Sequence, residues 1–173
     1  MDFETLSLIG SALISCQKVE FMTYGLISHF KNIQHEKKFR KLSPQVFLDD
    51  SAESKEIRKH TLGQLFKLLK DKNVAYIHDR LDDYLTKRNI LIHELLREFY
   101  KDNNNEINDS RVKEFCIEII ETSNKLEKFF KGFLYQLTLF SMENTDFKLP
   151  KEIGEIANEY NYFLNCILKE DLI

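Results

Sequence analysis

Arg88, Asn89 and His93 lie within one short stretch, and their types suit chemistry at a phosphate. Histidine titrates in the range that suits proton transfer near neutrality. A guanidinium stays protonated, and its planar fork matches phosphate or carboxylate oxygens. An amide next to it can orient either group. Such a set could move a proton and stabilise developing negative charge without a metal. In a chain of this composition, Arg followed four to six residues later by His should arise about 0.5 times by chance, and requiring Asn after the Arg lowers this to about 0.04.

The surrounding segment reads as a helix whose apolar face runs through Leu81, Leu85, Ile92, Leu95, Leu96 and Phe99. At about 100° per residue, Arg88 falls in the middle of that face, with Asn89 and His93 on one flank. A guanidinium inside an apolar stripe is expensive unless it is paired or faces a polar pocket. The first long periodic segment has matching interruptions. Its stripe is Phe3, Leu6, Ile9, Leu13, Gln17, Glu20, Tyr24 and Ile27, and Glu20 is the expected partner of Arg88. The pair could be no more than a buried ion pair that fixes helix register. Glu20 could also orient Arg88 for chemistry, and the two roles can coexist. Gln17 reads as a hydrogen-bonded core amide. His93 alone would read as a solvated or interface residue; beside Arg88 and Asn89 it reads as part of a site.

Composition bounds the rest. The 173 residues make one domain, residues 1–173, long enough for a substantial core. Five Gly and two Pro, with 43% apolar and 31% charged residues, suit a compact helical protein. The net charge of −3 does not advertise nucleic-acid binding, so any such binding must use local patches. Lys31, Lys37, Lys38, Arg40 and Lys41 against Glu36 form one such patch. Runs of this kind are usually solvated surface; were the protein to bind nucleic acid, this one would grip the backbone. Cys16, Cys116 and Cys166 are far apart and form no CxxC pair, which argues against zinc and disulfides and for a reducing, cytoplasmic setting. No other His shows ligand spacing, so neither a metal nor another cofactor is expected. The first residues are acidic, unlike a signal peptide, and no apolar run is long enough to span a membrane.

Periodicity predicts helices over residues 2–33, 53–70, 78–100, 110–142 and from Pro150 to about 169, with a turn at Ser43-Pro44 and a polar loop at residues 101–105. Asp109 or Ser110 is expected to cap the fourth helix. In that helix Val112, Cys116, Ile119, Ser123, Leu126, Phe130, Phe133, Leu137 and Phe140 alternate steps of four and three, the repeat of bundled helices. Phe115, Ile120, Phe129 and Leu134 widen the stripe for a second neighbour. The expected fold is all-α, an antiparallel bundle of about five helices.

Arg88-Asn89, three residues, then His93, late in a mid-chain helix of an all-α domain, resembles the HEPN superfamily (higher eukaryotes and prokaryotes nucleotide-binding). The resemblance covers about residues 6–140 and is specific at Arg88, Asn89 and His93. It implies a metal-independent endoribonuclease, the toxin or effector of a toxin–antitoxin or antiviral defence system, with RNA as substrate and an antitoxin or regulatory protein as partner. It also implies a homodimer in which two motif helices form one composite site. Arg88 and His93 would be catalytic, and Asn89 would bind or orient. Some HEPN toxins carry Tyr two residues after the His; Leu95 stands there, which argues against control by modifying such a tyrosine. The implied reaction is attack of a ribose 2′-OH on its own phosphate. Histidines would serve as acid and base, Arg88 would stabilise the phosphorane-like transition state, and the 2′-OH would confine the activity to RNA. The alternative is a non-catalytic HEPN-like bundle that binds a partner protein or a nucleotide.

Overall fold

The computed structural model of the protein describes residues 1–29, 48–51, 62–70, 78–100, 107–142 and 153–169. The expected turn at Ser43-Pro44, the loop at 101–105, Pro150 and the basic residues Lys37, Lys38, Arg40 and Lys41 lie outside the described residues. Within them the fold is an all-α bundle: α1 (Phe3–His29), α2 (Leu62–Lys70), α3 (His78–Asn89), a π-helical turn (Ile90–Glu94), α4 (Leu95–Phe99), α5 (Asp109–Met142) and α6 (Ile153–Lys169). α3, the π turn and α4 follow one another without a break, so the described residues form five helical rods.

α1 and α5 form the central pair. The N-terminal amine lies 3.9 Å from Asp109, and Lys113 pairs with Asp2 at 2.9 Å and with Glu4. Further along, the Cys16 thiol meets Ser123. The starts of the two helices therefore lie together, and α1 and α5 run in the same direction, a departure from antiparallel order within the bundle. The long chain between them, residues 30–108, allows this. α5 and α6 pack against one another through Phe129, Phe133 and Phe163, with ring centroids 5.2 and 5.4 Å apart. Farther along α5, Tyr160 donates a 2.6 Å hydrogen bond to Gln136, so this pair is antiparallel. Gly132 lets the two helices approach: an added Cβ would run into the Glu159 carbonyl oxygen and the Phe163 Cβ.

The α5 stripe is buried as its periodicity requires, from Val112 through Cys116, Ile119, Ser123 and Leu126 to Phe130. α1 is different. Phe3, Leu6 and Leu13 of its expected stripe are 87%, 53% and 36% exposed, and Gln17 is exposed too. The packed face is instead Thr5, Ala12, Ser15, Cys16 and Val19. Small side chains let α5 come close, while the larger apolar residues of the first turns stay outside. From Tyr24 to Ile27 the expected residues are buried. Asp2 caps α1 by accepting the Thr5 amide at 2.7 Å, a contact that holds its carboxyl well below the usual range. The side-chain cap of α5 is Asn108, not Asp109 or Ser110: its Oδ1 accepts the Arg111 amide at 3.4 Å, and its carbonyl takes the Val112 amide.

Candidate functional site

α3 is anchored before it reaches the motif. The Tyr84 hydroxyl shares a 2.9 Å hydrogen bond with Ser123, and both residues are completely or almost completely buried. Lys87 spans Asp83 at 2.7 Å and Glu118 of α5 at 2.6 Å. On the far side Phe99 packs on Phe115, centroids 5.0 Å apart, under the Arg111 guanidinium. The motif is therefore held at both ends against α5.

Between those anchors the helix widens. In a regular α-helix five residues turn through about 500°, which would leave Arg88 and His93 about 140° apart. The π turn Ile90–Glu94 carries the i→i+5 pattern, which brings residues five apart toward one another. A wheel drawn at constant pitch cannot be run through it. Ile92 and Leu96, placed by that wheel on the packed face, are 39% and 56% exposed, and Leu91 is buried instead. π turns inside α-helices often mark functional sites because the extra residue re-aims side chains.

A cleft of about 370 Å³ opens at this turn, lined by Gly63, Leu85, Arg88, Asn89, His93 and Glu94. The three motif residues thus share one concave surface. Asn89 and His93 are exposed, whereas the Arg88 side chain keeps 19% of its accessible surface. Arg88 Nη1 donates a 3.2 Å hydrogen bond to Asn89 Oδ1. Arg88 Nη2 lies 3.9 Å from Glu20 Oε2, so the expected contact is present, as an ion pair too long for a hydrogen bond. With five N–H donors, the guanidinium keeps free donors for an incoming anion. Burial pushes the Glu20 carboxyl up from the usual range, and the Arg88 charge only partly opposes this.

Gly63, Leu85 and Glu94 were not expected at the site. Gly63 reaches it from α2, a tertiary contact that no local pattern reveals. Glu94 follows His93 directly and would have been drawn in by a wheel allowing a π turn. Tyr84, one turn before Arg88, is likewise absent from the expected face although it is fully buried. The thiols are not candidates for chemistry. All three are buried, and burial pushes Cys16 and Cys166 up and Cys116 to about 11. Among the described residues no group of His, Cys, Asp or Glu side chains could hold a metal ion, and no helix is long and apolar enough to cross a membrane.

No family model, curated protein or solved structure matches this chain.

Proposed function

We propose that this chain is a metal-independent endoribonuclease of the HEPN type, acting in the cytoplasm as the toxin or effector of a toxin–antitoxin or antiviral defence system. The observation that carries the reading is that Arg88, Asn89 and His93, assembled by a π turn, line one cleft. A phosphodiester in that cleft would meet the free donors of Arg88. His93 is exposed beside it and moves the proton, either taking it from the attacking 2′-OH or giving it to the leaving 5′ oxygen. Arg88 stabilises the charge that grows on the phosphoryl oxygens, and Asn89 and Glu20 hold its fork in place. The products are a 2′,3′-cyclic phosphate and a 5′-hydroxyl.

One imidazole cannot start in both protonation states, so the full reaction draws on two copies. Ile92 and Leu96, exposed next to His93, form an apolar margin that suits a two-fold contact between motif helices. A non-catalytic bundle is the competing reading. It is favoured by the engagement of Arg88 with Glu20 and Asn89, which gives the guanidinium a counter-charge without any substrate. Cleavage of single-stranded RNA in excess EDTA, by wild-type protein and by His93→Ala, separates the two.

A further inference from the structure

Glu94 lines the cleft with Arg88, Asn89 and His93, and the proposed reaction makes no use of it. A carboxylate in a cleft for phosphates is costly, because like charges repel and lower anion affinity. It is offset when the carboxylate accepts hydrogen bonds from another part of the same ligand. Glu94 is placed to do so. Its Oε2 makes an exposed 3.1 Å ion pair with Arg97, and Oε1 and further lone pairs are left for donors.

Placement along the rod defines what the donors belong to. Arg88 and Glu94 are six residues apart, a rise of about 9 Å or somewhat less through the π turn. That is about the span from a nucleotide's phosphate to the outer edge of its base. The cleft is also lined by Leu85 of α3 and by Gly63 of α2, which projects no side chain. A flat ring can lie against both. Ligand pockets begin at about 300 Å³, so the cleft, at about 370 Å³, has room for one nucleotide.

We infer that the cleft is a guanine-nucleotide subsite in which Glu94 selects the base. Guanine alone among the four bases presents two adjacent donors, N1–H and the N2 amine, on its pairing edge, and a carboxylate accepts both side by side. Adenine and cytosine offer one amine there, and uracil one N–H between two acceptors. Unpaired bases are read through this edge. The inference rests on the ribonuclease reading for the identification of the ligand as a base of single-stranded RNA, and the base selection can be measured apart from cleavage.

The test is titration calorimetry of the full chain with GMP, AMP, CMP and UMP. Wild-type protein should bind GMP about 5- to 100-fold more tightly than the others, the range of one bidentate base contact. Glu94→Gln, which replaces one acceptor oxygen by a donor, should remove that preference and leave UMP binding within about twofold. Gly63→Leu, which adds bulk to the lining of the cleft, should weaken all four. Equal affinity for the four nucleotides, no binding of any, or a guanine preference that survives Glu94→Gln overturns the inference. An RNA with a single guanine distinguishes the source. Cleavage beside that guanine assigns the subsite to RNA. GMP binding without cleavage of any RNA keeps the guanine subsite, assigns it to a free nucleotide and removes the ribonuclease reading.

Discussion

Arg88 is the residue on which the account turns, because the apolar stripe of its helix has no other use for a cation. Its half-buried guanidinium has one hydrogen bond to Asn89 and one long ion pair to Glu20, an arrangement that holds the fork without saturating it. Arg88→Lys keeps the charge and loses the fork. RNA cleavage by that variant should fall about 10²- to 10³-fold, the scale of one lost transition-state donor, with circular dichroism unchanged. Retention of full activity would reduce Arg88 to a simple counter-charge. Glu20 gives a second prediction, on stability. Its ordinary value is 4.5, and in the fold burial holds it higher. As pH rises the unfolded chain therefore releases this proton first. The stability contributed by protonated Glu20 is present below pH 4.5 and is lost as pH climbs through the higher folded value. Urea midpoints taken between about pH 4 and pH 7 should decline less in Glu20→Gln than in wild type. Parallel pH profiles for the two proteins would contradict the burial argument.

At the level of elements, the most regular pattern gave the most accurate expectation. The four-three alternation on α5 marks its buried face because a long helix flanked by two neighbours has few other ways to pack. The same reasoning misplaced the first half of α1, where apolar residues stand on more than one face and the close approach of α5 selects the small ones. The change of pitch at the motif was not legible either, because a π turn leaves no periodic mark in the sequence. Arg88 and its link to Glu20 were legible as polar interruptions of apolar stripes, and Asn89 and His93 as polar residues on the flank beside Arg88. Gly63 and Glu94 were not, since one arrives from another helix and the other depends on the widened turn. A second neighbour of α5 was legible in its widened stripe, but the close approach of α6 at Gly132 was not, and it yields its own prediction. In Gly132→Ala the new methyl group meets the backbone of Glu159 and the Cβ of Phe163, neither of which can rotate away. Overpacking of about 1–3 kcal/mol should exceed the helix-propensity gain of up to about 1 kcal/mol. The net cost of about 1–2 kcal/mol should lower Tm in calorimetry by about 2–8 °C, at about 2–4 °C per kcal/mol for a chain of this size. An unchanged or higher Tm would mean that α6 shifts freely.

For the whole molecule, α1 runs parallel to α5 and the motif rod runs antiparallel along α5, from Tyr84 at Ser123 to Phe99 at Phe115, with one margin of Ile92 and Leu96 open. The proposed reaction needs two histidines, and that margin is the surface through which a second copy can bring one. Leu96→Glu places charge in the contact. Sedimentation equilibrium at micromolar concentration should show a dimer for wild type and a monomer for this variant, with helicity retained. A wild-type monomer at high micromolar concentration would remove the composite site.

In the proposed reaction His93 moves a proton in RNA cleavage that needs no metal. The most direct measurement is the rate at which wild type and His93→Ala cut single-stranded RNA in excess EDTA, with the product ends identified by mass. Wild type should cleave and leave 2′,3′-cyclic phosphate ends, and His93→Ala should be slower by about 10²- to 10⁴-fold, the contribution of one positioned acid or base. Undiminished cleavage by His93→Ala, or cleavage that EDTA abolishes, would contradict that reaction.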